Sequence, residues 1–287
     1  TEEEAELAAQ LGGAMEPVEA VAARLGLGRK EAASRLIALA RRGLVWLDRS
    51  EGELRARLAP FIVGIYEAQL DLMDHEFAHL IERYLADGGA AGIMGPEPAL
   101  HRVVPAQAAV KREWILPYDD VRAILLKARS FAVRDCICRR QQDEIGRRCT
   151  FPLDVCLSFS SREPSPGDDG ITQEEALALL ARTEEIGLVH TVSNVREGLG
   201  YVCNCCGCCC GILRGINDFG IETSVAHANY YAVIDPEECQ GCGVCVGRCQ
   251  VHAIALAGGV AVVDRARCIG CGLCVTGCPH DVARLER

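Results

Sequence analysis

The chain has 287 residues, 49% of them hydrophobic and 24% charged, the balance of a globular protein with two or three domains. Its formal net charge of −10 disfavours nucleic-acid binding over the whole surface, because phosphate neutralisation needs a concentrated basic face. No apolar run reaches the roughly 18 residues of a transmembrane helix. The acidic start TEEEAELAAQ lacks the features of a signal peptide. These features predict a cytoplasmic protein without a membrane span.

Residues 1–58 are predicted to form two helices and a hairpin. The helices are expected near 17–25 and from GLG to about Arg42, and the hairpin is LVWLDRSEGELRA. This pattern resembles a winged helix-turn-helix. The second helix carries basic residues that would suit DNA phosphates: Arg29, Lys30, Arg35, Arg41 and Arg42. Many acidic residues accompany them, so docking or dimerisation is favoured over DNA binding.

Residues 59–130 are predicted to be a helical connector, and HEFAH at 75–79 formally fits the HExxH pattern of zinc proteases. At about 100° per residue, the apolar side chains of this segment make one stripe: Phe77, Leu80, Ile81 and Tyr84. Both histidines and Glu82 then fall on the opposite, solvated face. No further ligand motif follows. We therefore interpret HEFAH as a coincidence.

Residues 131–228 are predicted to form a cysteine-rich domain with ten of the chain's eighteen cysteines. The first group lies in DCICRRQQDEIGRRCTFPLDVC: Cys136, Cys138, Cys149 and Cys156. The second group fills six of eight positions in YVCNCCGCCCGI: Cys203, Cys205, Cys206, Cys208, Cys209 and Cys210. Reduced thiols at this density oxidise unless they are ligated, and cytosolic cysteine clusters usually bind metal. All ten are therefore predicted ligands of central iron-sulfur clusters.

The spacing of the second group suggests two metal centres. Cys203, Cys206 and Cys209 repeat a CxxCxxC ladder, while Cys205 and Cys208 form an interleaved CxxC. The first ladder would be completed by one distal cysteine, and the second by two cysteines of the first group. Two thiols would be left over. They are compatible with a larger or non-cubane cluster, with an open site for a substrate, or with no ligation.

The surroundings of the central cysteines carry three further expectations. Several arginines crowd the first group, either to offset cluster charge or as a solvated basic loop: Arg134, Arg139, Arg140, Arg147 and Arg148. A Pro, Gly and Ser loop at 160–170 precedes a helix that starts at a capping box of Thr172 and Glu175. His190, on the following strand, is a candidate ligand or proton donor, with a structural role favoured.

Residues 229–287 contain a duplicated motif, DPEECQGCGVCVGRCQ at 235–250 and DRARCIGCGLCVTGCP at 264–279. Each copy reads CxxCxxCxxxC, which resembles the bacterial two-cluster ferredoxin, in which the fourth cysteine crosses to the other cluster. The resemblance implies two [4Fe-4S] ligand sets: Cys239, Cys242, Cys245 and Cys278, and Cys268, Cys271, Cys274 and Cys249. Zinc is disfavoured, because zinc knuckles use paired CxxC motifs. Gln250 replaces the usual proline and is expected to retune the local backbone and potential.

The sequence thus predicts an α+β multidomain protein with a winged helix, a helical connector, a cysteine-rich domain and a dicluster ferredoxin domain. It is similar to multi-cluster ferredoxin-domain proteins of anaerobic bacteria, a resemblance that names no reaction. Electron transfer between a low-potential donor and a redox partner is expected, through two ferredoxin clusters and one or two central ones. The alternatives are a redox-sensing DNA-binding regulator and a reductase with a substrate at a central cluster, so an enzymatic activity is left open. A homodimer or a complex subunit is compatible with this reading.

Overall fold

The computed structural model describes residues 1–49, 52–117, 119–164 and 170–287. These residues form two compact units, Thr1–Asp74 and His75–Arg287. The tip of the predicted wing hairpin at 50–51 and residues 165–169 of the predicted loop at 160–170 lie outside the described residues. Among the residues described, no helix has the length and apolar character needed to cross a bilayer. The predicted domain boundaries at 58, 130 and 228 stay predictions.

The first unit combines three helices with a small antiparallel sheet. Its elements are α1 (Glu2–Ala9), β1 (Glu16–Pro17), α2 (Val18–Leu25), α3 (Arg29–Arg41), β2 (Val45–Asp48) and β3 (Arg55–Leu58), with strand order β1-β3-β2. A capping box of Thr1 and Glu4 starts α1, and Gly26 ends α2 in the left-handed conformation at φ 65°. Helices α2 and α3 and the hairpin of β2 and β3 lie where the sequence predicts two helices and a hairpin, whereas α1 and β1 were not predicted. The assignment to the winged-helix class stays a prediction.

The second unit is built around a five-stranded antiparallel sheet of order β4-β7-β8-β6-β5. The strands are β4 (His101–Val104), β5 (Ser130–Asp135), β6 (Asp154–Ser160), β7 (Val189–Ser193) and β8 (Tyr201–Cys205). The helices are α4 (His75–Tyr84), α5 (Ala90–Met94), α6 (Val121–Leu125), α7 (Ile137–Glu144), α8 (Gln173–Glu185) and α9 (Gly211–Asn217). Apolar residues of α8 pack on this sheet, where Leu179 and Leu180 share a core with Leu157 and Val202.

Part of the predicted connector is an extended strand of this sheet. His101–Val104 form β4, which pairs with β7 in the register Val103↔Thr191. All four residues of β4 are buried. A short, fully buried strand has no alternation of polar and apolar residues, so its sequence pattern does not distinguish it from a helix.

The expected orientation of α4 is also wrong. Its buried positions are Ala78 and Ile81, whereas Leu80 and Tyr84 are 45% and 49% exposed. Glu82 was expected on a solvated face but accepts two hydrogen bonds from the buried Arg214, at 2.7 and 2.9 Å. A buried guanidinium needs a carboxylate partner, and this requirement overrides the simple apolar stripe.

The C-terminal part of the second unit consists of two small antiparallel pairs. Its elements are β9 (Tyr231–Ile234), α10 (Val244–Arg248), β10 (Ile254–Ala257), β11 (Val260–Val263), α11 (Leu273–Thr276) and β12 (Ala283–Glu286). β10 and β11 form the hairpin expected at Gly258 and Gly259, and β9 pairs with β12. The last strand therefore returns beside the first and closes this region.

Candidate iron-sulfur and metal sites

Two cavities in the C-terminal region are each lined by four cysteines. One is lined by Cys239, Cys242, Cys245 and Cys278. The other is lined by Cys249, Cys268, Cys271 and Cys274. The structure thus brings together the two sets, each with its crossing cysteine, that the ferredoxin resemblance implies. Ligation itself stays a prediction.

The loops around these cavities suit bound thiolates. Gly241 and Gly270 have φ of 63° and 72°, and a Cβ at either would overlap a backbone carbonyl oxygen. Backbone N–H groups donate to three cysteine sulfurs at 3.2 to 3.4 Å: Ala232 to Cys268, Ala253 to Cys249, and Ala261 to Cys239. Such hydrogen bonds favour the thiolate and tune a cluster's potential. The residues present therefore fit [4Fe-4S] clusters.

Burial adds a requirement for a cation in the second cavity. It raises the pKa of Cys271 to about 12, and it also raises the pKa of Cys274. Without a bound cation both groups are neutral thiols at pH 7. Since a coordinating thiol must be deprotonated, iron would supply the charge that holds these sulfurs as thiolates.

The ten central cysteines separate into a compact set of four and a wider set of six. In the four-cysteine set, all sulfurs lie within 4.8 Å of one another: Cys149, Cys206, Cys208 and Cys209. The Sγ atoms of Cys208 and Cys209 are 3.7 Å apart. Cys149 comes from the loop between α7 and β6, and the other three come from the turn between β8 and α9.

The six-cysteine set is linked by electrostatic interaction between neighbouring sulfurs. Cys136 contacts Cys138 and Cys156, Cys138 also contacts Cys210, and Cys205 contacts Cys203 and Cys210. These residues lie at the start of α7, on the neighbouring strands β6 and β8, and just before α9. The antiparallel pairing of β6 with β8 brings the two sequence groups together.

The predicted ladders are not the groups that the structure assembles. Cys203 lies in the six-cysteine set, apart from Cys206 and Cys209. Likewise Cys208 lies with Cys206 and not with Cys205. The reason is that β8 continues through Cys205, and the strand period of two places Cys203 and Cys205 on one face. A CxxC ladder requires a loop, and the loop begins only after the strand ends.

The comparisons with known proteins bear on the C-terminal region. A family model described as a 4Fe-4S dicluster domain matches residues 231–283. We call residues 231–283 the dicluster domain after this match. The comparisons with curated proteins and with solved structures returned no match. The match confirms the ferredoxin-type prediction for the C-terminal region, and with the many cysteines it indicates iron-sulfur electron transfer.

The dicluster domain contacts the cysteine-rich turn through Gln250, the residue in the usual proline position. Its side-chain oxygen accepts from the backbone N–H of Gly207 at 2.8 Å, and its amide nitrogen donates to the Gly187 carbonyl at 2.9 Å. Asn217 donates to the carbonyl oxygens of Gly207 and Gln250, at 3.1 and 2.9 Å. Sequence reasoning missed this contact, although the departure from proline marked the residue.

Only part of the predicted arginine cluster faces the central sulfurs. Arg139 is buried and donates to the carbonyl oxygens of Pro152 and Asn204, at 3.0 and 2.8 Å. Burial would lower its pKa, but Cys136 and Cys206 raise it, so Arg139 lies beside both cysteine sets. Three other arginines pair with carboxylates: Arg140 with Glu144, Arg147 with Glu82, and Arg148 with Asp143.

His190 has the structural role that the sequence favours. The side chain is buried, with Nδ1 2.6 Å from Asn204 Oδ1 and Nε2 3.2 Å from Glu184 Oε1. Asn204 also accepts from Thr183 and donates to the Val155 carbonyl. Both ring nitrogens thus face oxygen atoms, and His190 belongs to a buried hydrogen-bond network centred on Asn204 of β8.

The basic residues of α3 are partly neutralised within their own unit. Arg35 forms ion pairs with Glu3 and Glu31, at 3.1 and 2.8 Å. Arg42 pairs with Glu4, and this contact lowers the pKa of Glu4 to about 2. These pairs reduce the positive charge available to DNA phosphates. Whether this unit binds DNA stays a prediction, with docking or dimerisation favoured.

Proposed function

We propose that this chain is an iron-sulfur electron-transfer protein in which the dicluster domain exchanges electrons with the cysteine-rich domain and with a separate redox partner. The observation that carries the proposal is the contact between Gln250 and Gly207. Cys249 lines one dicluster cavity and precedes Gln250, while Gly207 lies between Cys206 and Cys208. One hydrogen bond therefore links the two cysteine-bearing segments.

Further contacts of Arg248 and Arg267 support a fixed arrangement of these domains. The Arg248 guanidinium donates to the carbonyl oxygens of Glu184 and Glu185, at 2.9 and 2.7 Å. These carbonyls belong to the end of α8, where a cation is favoured by the helix dipole. Arg267 donates to Asn217 Oδ1 at 3.3 Å. Three side chains thus hold the Cys249 loop against the cysteine-rich domain.

The six-cysteine set is the proposed central iron-sulfur site. Its sulfurs are linked in a chain of contacts rather than drawn to one point, and the buried Arg139 offsets the negative charge of bound thiolates. When bound, an iron-sulfur cluster supplies one-electron oxidation and reduction. The set would also accommodate a cluster with more than four thiolates.

We propose that the redox partner binds beside the dicluster cavity that is lined by Cys239, Cys242, Cys245 and Cys278. Cys242 in its loop is exposed, whereas the lining of the second cavity lies against the cysteine-rich domain through Arg248. The exposed Glu237 and Glu238 precede this loop, so a partner with a basic contact surface is favoured.

The test follows electrons in anaerobically purified full-length protein. A redox titration monitored by EPR should show the two dicluster centres and at least one further centre. The protein is then mixed rapidly with substoichiometric dithionite and freeze-quenched. The EPR signal of the reduced centre outside the dicluster domain should appear more slowly in Gln250→Ala than in wild type. Gln240→Ala is the matched control, because Gln240 lies in the other cluster loop and its side-chain amide donates to the nearby Glu238 carbonyl.

Two results would contradict the proposal. One is a protein whose reducible centres are limited to the dicluster domain. The other is an equal rate of signal gain in wild type and Gln250→Ala at unchanged cluster content, because the hydrogen bond to Gly207 would then have no part in the exchange.

A further inference from the structure

We propose that the four-cysteine set binds a single tetrahedral metal ion, zinc or iron(II), through four thiolates, and does not bind an iron-sulfur cluster. The sulfurs of Cys149, Cys206, Cys208 and Cys209 lie within 4.8 Å of one another. Four thiolates around one ion with bonds of about 2.3 Å are separated by about 3.8 Å. The 3.7 Å between the Sγ atoms of Cys208 and Cys209 agrees with that separation.

The dicluster domain supplies an internal standard for a cluster site. In a cubane each thiolate binds a different iron at a separate corner, so the sulfurs spread around the cluster. Within the described part of the chain, the set containing Cys149 is the one in which every pair of sulfurs lies within 4.8 Å. In neither dicluster set are all the sulfurs this close together. The same fold therefore holds its cubane ligands further apart than these four cysteines.

The location of the set indicates what the ion would do. Cys149 belongs to the loop between α7 and β6, and its three partners belong to the turn between β8 and α9. An ion would fasten these two segments together. Four protein thiolates complete a tetrahedral shell, and closed shells are typical of structural zinc sites, whereas catalytic zinc keeps a position for water or substrate. The inferred role is therefore structural.

The first measurement is the zinc, iron and acid-labile sulfide content of the anaerobically purified full-length chain. Compared with wild type, the double variant Cys208→Ser/Cys209→Ser should contain about one metal ion fewer per chain and the same amount of sulfide. Cys242→Ser is the matched control, because Cys242 is also exposed but belongs to a dicluster set. That variant should lose iron and sulfide together and retain the single ion.

The identity of the ion is read from the same samples. If it is zinc, X-ray absorption at the zinc edge should show about four sulfur neighbours near 2.3 Å and no nearby second metal. If it is iron, the lost metal is iron while zinc stays absent. Equal loss of iron and sulfide in the double variant, or an unchanged metal content, would overturn the proposal. These outcomes are independent of whether the central six-cysteine set is redox-active.

Discussion

The buried ion pair between Glu82 and Arg214 gives a sharp test of what positions the central cysteines. Glu82 on α4 accepts from Arg214 on α9 and, at 2.7 and 2.8 Å, from the amides of Gln141 and Gln142 on α7. The helix α7 begins directly after Cys136 and contains Cys138, and α9 directly follows Cys210, the last cysteine of the second group. Glu82 thus forms hydrogen bonds to both cysteine-bearing segments. Burial would raise its pKa, but the hydrogen bonds and charge of Arg214 outweigh this effect and lower the pKa.

Replacing Glu82 with alanine leaves the Arg214 guanidinium buried with a weaker partner. The Arg214 and Glu82 side chains are 6% and 17% exposed, and loss of one member of a buried pair costs about 3–5 kcal/mol. Asp218 also accepts a hydrogen bond from Arg214, at 2.6 Å, and would still pair with the guanidinium in the variant. Because Asp218 is 48% exposed, this pair would offset only part of the lost stability. We therefore expect about 3 kcal/mol for Glu82→Ala. For a unit of this size, that loss lowers the thermal midpoint by about 6–12 °C.

The assay is calorimetry of the cluster-loaded protein at one scan rate, because loss of clusters makes unfolding irreversible. Glu76→Ala on the same helix is the control, since Glu76 is exposed and its removal should shift the midpoint by no more than about 2 °C. Glu82→Gln should fall between the two, because it keeps the shape and an acceptor but removes the charge. A Glu82→Ala shift no larger than that of Glu76→Ala would refute the reasoning.

Three further predictions use the same calorimetric assay. Burial lowers the pKa of His101 from 6.5 to about 4, so between these pH values the unfolded chain takes up a proton that the folded chain does not. As pH falls through this range, the thermal midpoint of wild type should therefore fall more steeply than that of His101→Gln. Parallel plots of midpoint against pH for the two proteins would contradict this. Gly207→Ala would place a methyl group against the Gln250 carbonyl and should lower the midpoint by several degrees, whereas Gly247→Ala, with open space around its Cβ, should lower it less; equal shifts would argue against the close contact. Asn204→Ala removes the buried side-chain hydrogen bonds to Thr183, His190 and the Val155 carbonyl and should cost about 1–3 kcal/mol, so an unchanged midpoint would show the network to be dispensable.

The C-terminal region was predictable because its chemistry is local in sequence. Each CxxCxxC loop places three sulfurs on one cavity, and the crossing cysteine follows the duplicated pattern. Cys278 and Cys249 therefore appear where the resemblance implies. The hairpin turn at Gly258 and Gly259 follows from the same short-range signals.

The central site was not predictable in the same way, because long-range pairing decides it. Cys156 and Cys203 come into one set through neighbouring strands of the sheet, and periodicity within either segment does not report that pairing. The opposite face of α4 was misjudged for a related reason. Glu82 is distant in sequence from Arg214, and only the packed helices show that the pair is buried.

The turn after β8 explains why two cysteine sets can share one short stretch of chain. Cys205 ends a strand, Cys206 begins the turn and Cys210 precedes α9, so a change of backbone direction separates neighbouring side chains. Cys209 therefore belongs to the four-cysteine set while Cys210 belongs to the six-cysteine set. Gly207 lies in the same turn and contacts Gln250. If the four-cysteine set holds a structural ion, its removal should loosen this turn and slow electron exchange with the dicluster domain, although none of its sulfurs would bind a cluster.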